Sequence, residues 1–125
     1  MKTLNLNPKE GEPLVVLDKS NNVFRISGNS YPHDAYDFYQ PVIEWFEQYF
    51  SNPNQETEID FILEYFNTAS SKVFLDMFIK FNEYHESGYN VKVKWHYPAN
   101  DEDIEEAGRE YAEMSEVPFD FICLQ

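Results

Sequence analysis

At the centre of the chain stands the stretch Tyr65-Phe66-Asn67-Thr68-Ala69-Ser70-Ser71-Lys72. Residues 56–66 alternate like a strand, and residues 71–86 repeat their apolar side chains at helical spacing. A strand that passes at once into a helix leaves free backbone N–H groups at the corner between them. These groups and the helix dipole favour an anion, so the stretch predicts a corner suited to negative charge.

Three hydroxyl groups belong to this corner, those of Thr68, Ser70 and Ser71. Ser, Thr and Asn are the residues that commonly cap helices, so the corner has a purely structural interpretation, with Asn67 among the caps. A second interpretation is a phosphoacceptor at the corner, with Lys72 as a nearby partial counter-charge. The residues alone leave both interpretations open.

The strands on either side of the helix alternate between an apolar and a polar face. A parallel sheet covered on both faces would read as continuous apolar runs, so these strands predict helices on one face only. In the strand of residues 56–66, one face carries Ile59, Phe61, Leu63 and Tyr65. The opposite face carries Glu58, Asp60, Ile62 and Glu64. In the next strand Val91, Val93, Trp95 and Tyr97 oppose Lys92, Lys94 and His96, so Asp60 and Glu64 are expected to face Lys92 and Lys94.

The first third of the chain predicts a hairpin followed by a helix. Residues 1–12 read as a loose lead-in, Leu14–Asp18 and residues 23–27 as paired strands, and residues 28–32 as a loop. The first helix follows Asp34. Because Pro41 fits only a first helical turn, the regular helix is expected to start near Tyr39.

The remaining elements complete the order ββαβαβαβ. Gly88 ends the second helix, a third helix covers residues 101–114, and Phe119–Leu124 is a closing strand. Strands linked through helices lie parallel with right-handed crossovers. The sequence therefore predicts an α/β fold with a single mixed sheet of about five strands and helices packed on one face.

Length and composition limit the function classes. The 125 residues fit one domain, 1–125, and the net charge of −14 disfavours nucleic acid and anionic membranes as partners. The sequence contains no long apolar run and no signal-peptide pattern at its start. The single cysteine, Cys123, is expected to be a buried thiol, and together these features predict a cytoplasmic protein.

The motifs of catalysis, cofactors and metals are missing. His33, His85 and His96 fall in separate elements, and His96 is expected to be a surface histidine. Neither a glycine-rich phosphate loop nor a nucleophile-elbow motif occurs. The sequence therefore predicts no cofactor, no metal and no enzymatic activity.

Three short motifs carry a resemblance to a known family. They are Tyr65-x-Asn67-Thr68-x-Ser70-x-Lys72, Trp95-His96-Tyr97 after the Gly88 turn, and Ser30-Tyr31-Pro32 before the first helix. In residues and mutual spacing they resemble the SiaC family of biofilm-regulation phosphoproteins over residues 13–124. The fold of that family is similar to the STAS-like anti-sigma-factor antagonists.

The resemblance implies a non-enzymatic, partner-switching protein of cyclic di-GMP signalling. A dedicated protein kinase would phosphorylate Thr68, a PP2C-like phosphatase would remove the phosphate, and the unphosphorylated form would bind and activate a diguanylate cyclase. Ser70 and Ser71 are lesser candidates for the phosphate. Ala69 and Ser71 stand where the family commonly has a serine and an apolar residue, so the regulated partner is left open.

A helical wheel adds a candidate partner surface. Leu75 and Ile79 fall beside the polar stripe of the second helix, away from its core stripe, and predict an exposed apolar patch beyond Thr68. The alternative is that the next helix covers them. The alternative function is a small ligand-binding domain or enzyme with its site at the Thr68 corner.

Overall fold

The computed structural model describes all residues, 1–125, as one mixed sheet with three helices. The elements are β1 (Leu4–Leu6), β2 (Leu14–Asp18), β3 (Val23–Ser30), α1 (Ala35–Tyr49), β4 (Thr57–Phe66), α2 (Thr68–Glu86), β5 (Val91–Pro98), α3 (Glu102–Ser115) and β6 (Phe119–Leu124). The strands follow chain order across the sheet, with β1, β2 and β3 antiparallel and β3 to β6 parallel. The predicted α/β class, single mixed sheet and order of the later elements are confirmed, and the number of strands is six.

The sixth strand comes from a segment that the sequence analysis placed in a loose lead-in. Leu4 to Leu6 pair with Leu17 to Val15 of β2, and Leu4 and Leu6 are half-buried against the core. The indole Nε1 of Trp45 also donates to the backbone oxygen of Lys2 at 2.8 Å. Two apolar residues at a spacing of two are enough to add an edge strand when a hairpin edge is available.

The three helices cover one face of the sheet, as predicted. Inward side chains of β2 to β5 are buried, and aromatic rings from the helices interlock with them. Phe61 of β4 stacks over Trp95 of β5 at 6.1 Å between centroids and meets Phe78 of α2 edge-on at 4.9 Å. Large rings on both layers supply much of the buried apolar area that stabilises a domain of this size.

The face without helices carries the charged side chains, and Asp60 lies opposite Lys94 as predicted, but the ion pairs that form are different. Lys92 pairs with Asp120 at 3.1 Å and Lys94 with Glu58 at 3.6 Å. Glu64 instead accepts from the side chain of Asn29 at 3.2 Å. The reason is that β4 and β5 stop pairing at Ile62 and His96, before Glu64 is reached.

Helix α1 begins earlier than predicted. Asp34 caps it by accepting from the N–H of Asp37 at 3.1 Å, and the helix runs on through Pro41 to Tyr49. The proline ring is exposed, while Ala35 and Tyr39 anchor the first two turns in the core. Burial of these two residues therefore outweighs the backbone hydrogen bond that Pro41 cannot make.

Cys123 is exposed, which contradicts the expected buried thiol. It lies on β6, the last strand of the sheet, and pairs with Tyr97 near the end of β5. The helix layer covers Phe119 and Phe121 in part but leaves the end of this edge strand open. An apolar neighbourhood in sequence is thus not enough to bury a residue at a sheet corner.

Candidate functional site

The Thr68 corner is built where the parallel strands β3 and β4 end. Their register shifts between Gly28 and Asn29, so that Gly28 lies opposite Leu63 but Asn29 lies opposite Tyr65. Glu64 is the extra residue on β4, and such a bulge reverses the facing of the residues that follow. The bulge therefore fixes the geometry of the chain that enters α2.

Tyr65 is 54% exposed because of this bulge, although the strand pattern predicted it to face the core. Phe66 takes the inward position and packs against Phe74 and Trp95, with ring centroids 5.6 Å and 6.1 Å away. The exposed ring of Tyr65 instead meets that of Tyr31 at 6.0 Å, edge to face. The corner consequently presents two exposed aromatic rings.

Asn67 caps α2, which begins at Thr68 and not at Ser71 as the sequence indicated. The Asn67 side chain accepts from the N–H of Ser70 at 2.9 Å, and its carbonyl oxygen accepts from the N–H of Ser71 at 2.9 Å. The N–H groups of Thr68 and Ala69 belong to the free donors of a helix start. The extra turn moves Thr68 from a loop to the first helical position.

Ser70 is fully buried in a chain of hydroxyl groups. Its Oγ lies 2.8 Å from Ser30 Oγ, which lies 2.6 Å from the hydroxyl of Tyr39. The chain links α2, β3 and α1, and burial raises the pKa of the Tyr39 phenol well above its usual value. The predicted role of Ser70 as a lesser phosphoacceptor is at odds with this position, since a kinase cannot reach a buried hydroxyl.

Ser71 is held from the other side by Tyr111 of α3. Its Oγ lies 2.7 Å from the Tyr111 hydroxyl, which also donates to the Ser71 carbonyl oxygen at 2.9 Å. Burial raises the pKa of Tyr111 to about 12, against the lowering effect of its hydrogen bond to Ser71. Ser71 is thus half-buried and bonded.

Thr68 is exposed and takes no part in the side-chain hydrogen bonds that occupy Ser70 and Ser71. Ala69 and Lys72 beside it are exposed as well. The first turn of α2 contains no acidic residue, whereas the first turns of the other helices carry one in α1 and three in α3. Of the three residues that carry these hydroxyls, Thr68 alone is exposed, while Ser71 is half-buried and Ser70 is buried.

The candidate partner surface is partly open. Ile79 is 42% exposed, and Leu75 is half-buried against the core cluster. The prediction that both lie outside the core stripe is correct for Ile79 and holds in part for Leu75. Neither is fully covered by α3.

The surroundings of the corner are acidic. A shallow cleft beside it is lined by Glu64, Tyr65, Phe66, Asp101, Asp103 and Ile104, without a histidine or lysine. His, Cys, Asp and Glu side chains come together nowhere in a group able to hold a metal ion. None of the three helices has an apolar stretch long enough to span a membrane.

His96 lies on the face without helices and is not a surface histidine. Its Nε2 lies 2.8 Å from Asp60 Oδ1, and only 14% of its side chain is exposed. Its Nδ1 is buried without a partner. His96 is therefore largely covered although it lies on the open face.

Three residues of the corner are not predicted as site residues by the sequence: Ser30, Tyr39 and Tyr111. The sequence pattern predicts a loop for Ser30, whereas Ser30 ends β3. The two tyrosines read as core residues of amphipathic helices, which they also are. Only their hydroxyl groups give them a second role, and spacing does not reveal where a hydroxyl group points.

The sequence model of the family described as "SiaC family regulatory phosphoprotein" matches residues 6–124. The chain belongs to the SiaC family. A curated relative, an uncharacterised protein of Pseudomonas aeruginosa (strain UCBPP-PA14), is 29% identical over 119 residues, which is 95% of this chain and 94% of the relative. This regulatory phosphoprotein family is the one that the three sequence motifs resemble.

Solved SiaC structures from Pseudomonas aeruginosa share the fold. Apo-SiaC superimposes with a TM-score of 0.88 at 28% identity and covers 98% of this chain and 99% of its own. A second SiaC structure gives 0.90 at 27% identity, covering 99% and 100%. A third, the diguanylate cyclase SiaD in complex with its activator SiaC, gives 0.90 at 28% identity, covering 97% and 99%.

Proposed function

We propose that this SiaC-family chain is a non-enzymatic switch in which phosphorylation of Thr68 controls the binding of a regulated protein. The observation that carries the proposal is that the three corner hydroxyls differ in burial and in hydrogen bonding. Ser70 is buried, Ser71 is bonded to Tyr111, and Thr68 is exposed. Membership of a family of regulatory phosphoproteins supports a modified residue at an accessible position.

The corner suits a phosphate without rearrangement. A phosphothreonine at the first helical position brings about −1.5 to −2 charges to the free N–H groups and the positive end of the helix dipole. The first turn of α2 adds no acidic residue of its own, so the nearest carboxylates are those of the neighbouring cleft, Glu64, Asp101 and Asp103. Lys72, one turn further on, adds a positive charge, so the fold is expected to survive modification.

The same charge would disrupt a protein interface. A partner docked over Thr68 and along α2 toward Leu75 and Ile79 would have to bury the phosphate without a designed counter-ion. An unpaired buried charge at an interface costs on the order of 2–5 kcal/mol. Because 1.4 kcal/mol is about tenfold in affinity, this is enough to abolish micromolar binding.

The proposed partners follow from the family. We propose a dedicated protein kinase and a PP2C-like phosphatase as the enzymes that act on Thr68. A diguanylate cyclase is the proposed regulated partner, bound and activated by the unphosphorylated form. The support is the solved complex in which a SiaC relative is the activator of the cyclase SiaD.

The test is a titration of the purified cyclase with wild type, Thr68→Ala and protein phosphorylated at Thr68. We expect wild type and Thr68→Ala to bind alike and the phosphorylated form to bind at least about thirtyfold more weakly. Melting curves of the three proteins should nearly coincide. Equal affinities of the phosphorylated and unphosphorylated forms would refute the switch, and a large loss of melting temperature in Thr68→Ala would make Thr68 chiefly a structural residue.

A matched pair of variants locates the effect of charge. Thr68→Asp and Ala69→Asp each add one carboxylate to the first turn of α2, at neighbouring exposed positions. Both are expected to be compatible with the helix start. Thr68→Asp should weaken binding more than Ala69→Asp if Thr68 itself lies under the partner.

The partner surface is tested with Leu75→Glu and Ile79→Glu, using Gln48→Glu on the exposed side of α1 as a control for the added charge. We expect the α2 variants to lose at least tenfold in affinity for the cyclase, while the control binds like wild type. Unchanged binding by both folded α2 variants would place the interface elsewhere.

A further inference from the structure

The hydroxyls of Ser70 and Ser71, which follow Thr68 on α2, differ in burial and in their hydrogen-bond partners. Ser70 Oγ is fully buried, and its partner Ser30 is fully buried too. Ser71 lies one turn after Thr68 and is only half-buried. Burial alone therefore removes Ser70 from the reach of a kinase, but it does not remove Ser71.

The Ser71 hydroxyl is hydrogen-bonded to a single group, the phenol hydroxyl of Tyr111. The Tyr111 hydroxyl lies 2.7 Å from Ser71 Oγ and donates to the Ser71 carbonyl oxygen at 2.9 Å. A hydroxyl group can donate only one hydrogen bond. Because the Tyr111 hydroxyl donates its hydrogen bond to the carbonyl oxygen, the Ser71 hydroxyl must be the donor in its contact with the phenol oxygen. The serine oxygen is then held against α3, and its proton is used in the hydrogen bond to Tyr111.

The Tyr111 ring is positioned independently of this contact. It is 4% exposed and packs against Phe78 at 4.9 Å and Trp95 at 5.6 Å between ring centroids. Removing the hydroxyl alone would leave these ring contacts in place. The hydroxyl is therefore a separable feature of a residue that is otherwise part of the core.

We propose that Tyr111 is a specificity-determining residue that confines phosphorylation to Thr68 by holding the Ser71 hydroxyl against α3. The proposal rests on the proposed function, because it assumes that a kinase acts at this corner. Tyr111 positions Ser71 and does not itself react. One hydrogen bond of ordinary net strength shifts an equilibrium about fivefold, and one such bond holds the Ser71 hydroxyl.

The test expresses the tagged full-length chain in its native cell and measures phosphate at each residue by mass spectrometry of the purified protein. In wild type we expect phosphate at Thr68 and none at Ser71. In Tyr111→Phe we expect Ser71 phosphate to rise at least fivefold relative to Thr68 phosphate. In the double variant Tyr111→Phe/Thr68→Ala, Ser71 should carry the remaining phosphate.

Tyr39→Phe is the matched control, since it also removes one buried phenol hydroxyl near the corner. Ser70 should stay unmodified in this variant, because it remains buried and bonded to Ser30. Site occupancy is the readout that a merely structural role of Tyr111 would not move, and melting curves verify that each variant is folded. A general loosening of α2 would raise phosphate in both variants and would overturn the specific role of Tyr111.

The outcomes separate this proposal from the one on which it rests. Wild type without phosphate at Thr68 would overturn both. Wild type phosphorylated at Thr68 together with an unmodified Ser71 in folded Tyr111→Phe would leave the switch standing and overturn the role of Tyr111.

Discussion

Gly108 of α3 is the glycine with the least room for a side chain. A Cβ atom there would lie 2.4 Å from Trp95 Cδ1 and 2.5 Å from Nε1, and the same indole donates to the carbonyl oxygen of Ile104 at 2.9 Å. An exposed helical Gly→Ala change normally stabilises by up to about 1 kcal/mol. For Gly108→Ala we expect the opposite sign, a loss of about 1–3 kcal/mol by overpacking, measured by urea unfolding.

Glu106→Ala on the exposed side of α3 is the control for this change and should leave the free energy of unfolding within about 0.5 kcal/mol of wild type. A stabilising effect of Gly108→Ala would mean that the indole of Trp95 can move aside.

Tyr111 should make the protein sensitive to alkaline pH. Its pKa is about 12 in the folded state, above the usual value near 10, so the folded state holds a proton that the unfolded state loses between these pH values. The stability contributed by the neutral phenol is complete below about pH 10 and is lost as pH rises toward 12.

The alkaline effect is measured as the slope of the unfolding free energy against pH between about 10 and 11.5. Tyr111→Phe should reduce the loss by up to about 1.4 kcal/mol per pH unit. If the slope of Tyr111→Phe equals that of wild type, the phenol is not protected in the folded protein.

At the scale of elements, the start of α2 depends on one cap. Asn67→Ala removes the acceptor of the Ser70 N–H and should cost about 1 kcal/mol in thermal or urea unfolding. Asn67→Asp keeps an acceptor and adds a favourable charge at the helix start, so it should retain wild-type stability or exceed it. Equal losses in the two variants would show that the amide group of Asn67 is needed for more than capping.

The sequence predicts elements well where one interaction dominates. Alternation in residues 57–63 and helical spacing in residues 73–84 predict β4 and α2, because the buried face of each is uninterrupted. Prediction fails where two effects compete. Pro41 argues against a helix that buried Ala35 and Tyr39 nevertheless extend, and the extra residue Glu64 reverses the facing of Tyr65.

The candidate site shows the same division. Asn67, Thr68 and Ser70 were predicted at a helix start from residue type alone, because capping chemistry is local. Which hydroxyl is exposed depends on Ser30 and Tyr111, about 40 residues away in either direction. Contacts at that separation leave no mark in the pattern of a single sequence.

At the scale of the whole molecule, the net charge of −14 opposes compaction. Three ion pairs between side chains with permanent charge lie at the surface, and each is worth at most about 1 kcal/mol. Salt screens both the attraction within these ion pairs and the repulsion among the excess carboxylates. The repulsion involves many more pairs of charges. We therefore expect the melting temperature to rise by a few degrees between about 10 mM and 500 mM NaCl.

A variant with less charge provides the comparison. Glu106→Lys, Glu110→Lys and Glu113→Lys together change the charge by +6, from −14 to −8, at exposed positions of α3. Its melting temperature should respond less to salt than that of wild type. A melting temperature that falls with salt in wild type would mean that the ion pairs dominate.

The strand order of the sheet has a consequence for how the molecule forms. Every strand pairs with its neighbours in the chain, so no pairing has to wait for a distant segment to return. Each parallel pairing still closes a loop through one helix, as between Arg25 and Asp60, and such non-local pairings form more slowly than local contacts. The hairpin of β2 and β3 is marginal alone, but it precedes these pairings in synthesis, so each later helix–strand unit can stabilise it by adding to an existing edge.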